Sequence, residues 1–143
     1  MNKAYLLDTS AIFAFTDNEA GADLVEELLE KARREQIAIH ISAMTAMEVY
    51  YVCSVERGEE QANHLLLLVR ALPVTESPLE DALILPAARF KARYKISVAD
   101  AWIAATAVVH NLTLVHKDPE FEPLDGVSLL PLPYKGKKQK KGS

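Results

Sequence analysis

Four carboxylates stand where a side chain could do chemistry: Asp8 in LLDTSAI, Glu48 in SAMTAMEVYYV, Asp100 in SVADAWIAATAVVH and Asp118 in LVHKDPEF. Asp100 is the most conspicuous, a lone charge near the front of an apolar stretch. An ionised carboxylate buried without a partner costs several kcal/mol, so Asp100 must be compensated or sit at an edge. If folding gathers these acids, each close pair repels by about 4 kcal/mol at an effective dielectric of about 20. Such a group takes up protons or binds a cation. Carboxylate oxygens without a cysteine or histidine cluster suit a hard divalent ion, Mg²⁺ or Mn²⁺ rather than Zn²⁺. That ion can activate water for attack on a phosphodiester.

Each acid also has an ordinary structural role open to it. Asp8 can cap a helix, and Asp118 before Pro119 suits a turn. Asp100 lies three residues after Ser97, the capping-box spacing, where a helix dipole favours a negative charge. Glu48, flanked by Met47, Val49, Tyr50 and Tyr51, is the hardest to explain this way.

The elements that must position these acids alternate between strand and helix. Residues 4–8 form a short apolar run of the kind buried on both faces, with helical spacing resuming at Ile12, Phe13 and Phe15. An amphipathic helix is expected over 19–36, from Ala22, Val25, Leu28, Leu29 and Ala32. A second strand covers 37–41. Ser42 can cap a helix running to about Glu56 and stopping at Gly58, and a further helix fits 59–72 before Pro73. Val74–Glu76 is a short third strand. Ser77-Pro78-Leu79-Glu80 then has the grammar of a helix start, with Pro86 expected to kink that helix or split it in two. Ser97 opens the helix that carries Asp100, and Asn111 ends it. Residues 112–116 give a fourth strand, and the segment from Val127 a fifth at the sheet edge, where proline is tolerated.

This alternation predicts an α/β fold, a three-layer α/β/α arrangement around a mainly parallel sheet of four or five strands. Ligands bind such sheets beyond the carboxyl ends of the strands. Asp8 and Asp118 leave strands there, and Glu48 and Asp100 lie on helices that begin there.

The 143 residues are half hydrophobic and one quarter charged, a globular balance. One domain is expected over 1–134, able to bury about 70% of its unfolded surface. Residues 135–143, KGKKQKKGS, hold five lysines and no acid, leaving −9 of formal charge on the remainder. A tail of that composition is expected to be disordered, and is either a solubilising terminus or a phosphate-binding arm. The single cysteine, Cys53, reads as an inert buried thiol in a reducing compartment. Without a secretory signal or a membrane-length apolar run, the expected location is the cytoplasm.

The stretches AYLLDTSAI, SAMTAMEVYYV and ISVADAWIAATAVVHNLTLVHKDPEF resemble PIN-domain proteins, most closely the ribonuclease toxins of VapBC toxin–antitoxin systems. The resemblance implies that Asp8, Glu48, Asp100 and Asp118 surround one or two Mg²⁺ or Mn²⁺ ions while water attacks the RNA backbone. It makes Asp8 and Asp100 direct ligands, with Glu48 and Asp118 completing the site directly or through water. Ser10 matches a hydroxyl residue that supports the site, whereas Thr9 serves the turn. His116 stands where the family usually has Thr or Ser, and Glu120 represents its second acid. His116 is therefore expected at the surface or supporting the site, not on the metal.

The function implied by the resemblance is that of a metal-dependent endoribonuclease with a cognate antitoxin, a homodimeric assembly and no membrane. An acidic body needs cations to meet RNA, and Arg89, Lys91, Arg93, Lys95, Lys117 and the tail are the candidates. The helices over 19–36 and 43–72 carry enough leucine, methionine and tyrosine to suggest a groove for an antitoxin segment. Two rival functions are a stand-alone PIN-domain RNA-processing nuclease and a non-catalytic RNA- or protein-binding module. Phosphoaspartate chemistry is disfavoured, because Ser10 occupies the place of the second aspartate that dehalogenase-like phosphatases need.

Overall fold

Leu6 and Leu7 are adjacent in the first strand and enter different cores. In the computed structural model, which describes residues 3–134, the strands are β1 (Ala4–Leu7), β2 (Ala38–Ser42), β3 (Thr75–Ser77), β4 (Thr113–His116) and β5 (Leu129–Pro131). They form one sheet of order β3-β2-β1-β4-β5, parallel at every pairing. Because strand side chains alternate between faces, Leu6 packs with Ile103, Leu114 and Phe121, and Leu7 with Ile12, Ile41 and Val115.

Helices α1 (Thr9–Thr16), α2 (Ala22–Arg33), α3 (Ala43–Arg57) and α4 (Glu59–Ala71) cover the Leu7 face. Helices α5 (Ile84–Arg93) and α6 (Val98–Val109) cover the other, giving the three-layer α/β/α fold. The chain winds outward from β1 through β2 to β3, then returns to lay β4 on the opposite side of β1. Strand order therefore reverses between β1 and β4, and the crevice at their carboxyl ends is where a sheet of this kind takes its ligand.

Local signals set most boundaries. Ser42 caps α3 by accepting the Met44 N–H at 2.9 Å, and Gly58 ends that helix at φ +94°. Ser97 Oγ accepts the Asp100 N–H at 3.0 Å to open α6. Asn111, in the left-handed region at φ +55°, follows its end. Helix α6 is apolar on most sides because Ala101, Ile103, Ala104, Ala105, Thr106 and Ala107 are all buried, and its alanines permit close approach to the sheet.

The helix start expected at Ser77 does not occur. Ser77 is the last residue of β3, paired with Ser42, and its hydroxyl lies 3.3 Å from His40 Nδ1. Glu80 Oε1 instead meets His110 Nε2 at 2.6 Å. With both capping groups engaged elsewhere, a short 3-10 turn spans Asp81–Leu83 and α5 begins at Ile84. Pro86 consequently falls in the first turn of α5, where no intrahelical N–H bond is lost.

Among the described residues no helix is long and apolar enough to cross a membrane. The basic tail, 135–143, lies outside the described residues.

Candidate metal centre

The site is built where β1 and β4 end. Asp8 directly follows β1, extends the ladder by donating its N–H to Val115 O at 3.1 Å, and caps α1. Its Oδ1 accepts from Ala11 N–H at 2.8 Å and from Ser10 Oγ at 2.7 Å. Ser10 Oγ in turn accepts the Lys117 N–H at 2.8 Å. One hydroxyl thus ties the Asp8 carboxylate to the chain leaving β4. Asp8 is only 3% exposed. Burial pushes its carboxyl up to about 7, with Asp100 and Asp118 adding to the rise and the Ser10 and Ala11 hydrogen bonds opposing it.

Asp100 reaches the same rim from the first turn of α6. Its carboxyl is also pushed up to about 7, mainly by burial and then by the charges of Asp118, Glu48 and Glu120, with the hydrogen bond to Ser97 working the other way. Asp118 caps a 3-10 turn over Pro119–Phe121, its Oδ1 accepting the Glu120 N–H at 2.9 Å. Oxygens of Asp100, Asp118 and Glu120 all lie within 4.8 Å of one another. Asp8 and Glu48 stand outside that triplet but close enough to act on its charges.

Glu48 is held from α1. Thr9 Oγ1 donates to Glu48 Oε1 at 2.6 Å, and buried Thr45 lies one turn of α3 earlier, 3.5 Å from the same hydroxyl. Thr9 therefore does more than form a turn: it fixes an acid 39 residues away. Its sequence signal is faint, a second hydroxyl beside Ser10 after a strand-ending acid.

His116, expected at the surface or supporting the site, is fully buried at the end of β4, and its Nδ1 accepts the Asp118 N–H at 3.1 Å. Burial lowers its pKa, against the smaller opposing effects of the charges on Asp118 and Glu122. Lys117 is no phosphate contact: its side chain is 5% exposed, and its Nζ bonds Ala20 O at 2.8 Å and Glu19 Oε1 at 3.3 Å. Arg89, Lys91, Arg93 and Lys95 are exposed.

The donor set is all carboxylate oxygen. Cys53 is buried in the core side of α3, and the nearby histidine has given its Nδ1 to a backbone amide. Acids that burial and mutual repulsion drive toward protonation, left without a lysine or arginine partner among the described residues, fit a hard divalent cation.

The sequence profile of the PIN domain matches residues 5–127. The chain belongs to the PIN-domain family. Its fold is similar to other solved structures of this type. VapBC2 from Rickettsia felis, bound to a promoter DNA fragment, superposes with a TM-score of 0.75 at 19% identity, covering 91% of this chain and 99% of that one. DNA-bound VapBC from Salmonella typhimurium gives 0.73 at 20% identity, covering 92% and 98%. The Mycobacterium tuberculosis VapC20 toxin, which cleaves the sarcin–ricin loop, gives 0.68 at 16% identity, covering 89% and 99%. Among curated protein sequences no significant match is found. In this PIN domain the acids occupy the crevice where the strand order reverses.

Proposed function

We propose that this PIN domain is a divalent-metal-dependent endoribonuclease and the toxin of a type II toxin–antitoxin pair. The observation that carries the proposal is the convergence of five carboxylates at one crevice, two of them with pKa values pushed up to about 7. Asp8, Asp100, Asp118 and Glu120 would hold Mg²⁺ or Mn²⁺, with Glu48 completing the site. When bound, such an ion activates a water and neutralises charge on the scissile phosphate. Ser10 and the Ala11 amide hold Asp8 in one orientation. Thr9 engages one oxygen of Glu48, leaving Oε2 to orient a water.

Exposed Arg89, Lys91, Arg93 and Lys95, on α5 and the link into α6, would offset the acidic body and steer the RNA backbone. An antitoxin segment would lie along α3 and α4. Met47 and Tyr51 are about half exposed there, Leu67 is 71% exposed, and a cavity of about 360 Å³ opens between the helices beside Tyr50 and Leu66. The similar chains named above from Rickettsia felis and Salmonella typhimurium were solved in VapBC complexes, which supports this partner class. A homodimer would pair through the other helical layer, where Leu85, Val98 and Val108 are exposed.

The test uses purified protein freed of any antitoxin. RNA should be cut with Mn²⁺ and left intact in EDTA, and Asp100→Asn should abolish cutting while the circular dichroism spectrum is retained. An Asp100→Asn protein that cuts as fast as the parent ends the proposal. Growth arrest on expression, relieved by the same substitution, separates a toxin from a stand-alone processing nuclease.

A further inference from the structure

His116 presents a combination that packing alone does not account for. The ring is fully buried at the end of β4, against Phe121 at 5.2 Å between centroids and Tyr134 at 6.1 Å. Its Nδ1 accepts the Asp118 N–H, so the ring proton of the neutral form belongs on Nε2. That Nε2 is buried and has no hydrogen-bond partner among the described residues. An orphaned buried polar group is rare and calls for an explanation. An apolar ring of the same size would fill the space between Phe121 and Tyr134 without leaving one. What an apolar ring lacks is the acceptor for Asp118.

We propose that His116 is a positioning residue for the metal centre: its neutral ring, locked in the Nε2–H form, is the buried stop that aims Asp118 and, through it, Glu120. The link is continuous. The ring takes the Asp118 N–H, and the Asp118 carboxylate takes the Glu120 N–H. Two of the three acids whose oxygens gather within 4.8 Å are therefore set by one imidazole nitrogen, while the third, Asp100, is set independently by Ser97. Phe121 and Tyr134 keep the ring from turning, so the acceptor is fixed in direction as well as in place. Without it the Asp118 amide must find another acceptor, and any rotation that lets it do so swings the carboxylate away from Asp100. The inference rests on the metal-centre assignment made under the proposed function.

The experiment compares His116→Phe, which keeps a ring and loses the acceptor, with His116→Asn, whose Oδ1 can stand near the Nδ1 position. Mn²⁺ affinity is read by isothermal titration calorimetry and metal-free stability by thermal unfolding. His116→Phe should bind Mn²⁺ at least about tenfold more weakly, the effect typical of losing a group that orients a ligand, with a metal-free Tm equal to or above the parent's. His116→Asn should recover most of the affinity with a lower Tm. A residue that merely fills space would move affinity and Tm together, and Mn²⁺ binding by His116→Phe equal to the parent's overturns the proposal. Nitrogen-15 NMR of the parent ring gives an independent reading should His116→Phe fail to fold. A proton on Nδ1 overturns the positioning role whatever the metal does. An Nε2 proton in a parent that binds no Mn²⁺ instead overturns the metal centre, and this proposal with it.

Discussion

Replacing Asp100 by asparagine should stabilise the metal-free protein at alkaline pH even as it removes the activity. Burial and the neighbouring acids raise the Asp100 carboxyl from 3.8 to about 7. The folded state thus keeps a proton that the unfolded chain releases between about pH 4 and pH 7. Bound protons favour the fold across that window, so stability falls as pH rises through it and levels off above the folded pKa. A rise of about three units corresponds to about 4 kcal/mol at pH 8, an upper bound for a carboxyl that shares its protons with neighbours. Asparagine carries no charge at any of these pH values and keeps the backbone N–H bond to Ser97. In EDTA at pH 8, Asp100→Asn should therefore unfold at a temperature higher by up to about 13 °C, the shift expected for 4 kcal/mol in a domain of this size. At pH 4 the two proteins should unfold together. Saturating Mn²⁺ should reverse the order at pH 8, because only the parent gains the full free energy of binding. Thermal unfolding followed by circular dichroism at pH 4, 6 and 8 reads all of this. A metal-free parent as stable at pH 8 as at pH 4, with Asp100→Asn no more stable than it, would refute the electrostatic reasoning.

Ser10→Ala should cost about 1–3 kcal/mol in urea unfolding, because it removes the bond to Asp8 and leaves the Lys117 N–H without its acceptor; a change below about 0.5 kcal/mol would show that the clamp is dispensable. Thr9→Val keeps the side-chain shape but frees Glu48, and should slow RNA cleavage by about tenfold or more with little change in urea midpoint. In an Asp100→Asn background, which permits binding without cutting, Arg89→Glu with Arg93→Glu should weaken RNA binding and flatten its dependence on salt by about 0.7 per lost phosphate contact on a single strand. Lys117→Gln should instead lower stability with little effect on RNA affinity, since its ammonium is already bonded to Ala20 and Glu19.

The layered architecture was legible in the sequence because its signals are local. A strand buried on both faces must be a short apolar run, as residues 4–7 are, and Ser42, Gly58, Ser97 and Asn111 mark helix ends with their own side chains or backbone preferences. Ser77-Pro78-Leu79-Glu80 misled for the complementary reason. Its capping groups are engaged by His40 and His110, partners that are distant in sequence. The site divides the same way. Acids at strand ends can be placed from topology, and Asp8, Glu48, Asp100 and Asp118 do share one crevice. The closeness of Glu120 to Asp100 depends on the 3-10 turn after Asp118. The Thr9 bond to Glu48, the burial of His116 and the capture of Lys117 all join side chains to elements that only the folded sheet brings near.

Crystals soaked in Mn²⁺ and measured for anomalous scattering would test the metal centre most directly. A peak between the Asp100, Asp118 and Glu120 oxygens, within coordination distance of Asp8 or of a water bound to it, is the expected result. A crevice without a peak at saturating Mn²⁺, or a peak only at some other place on the surface, would contradict it.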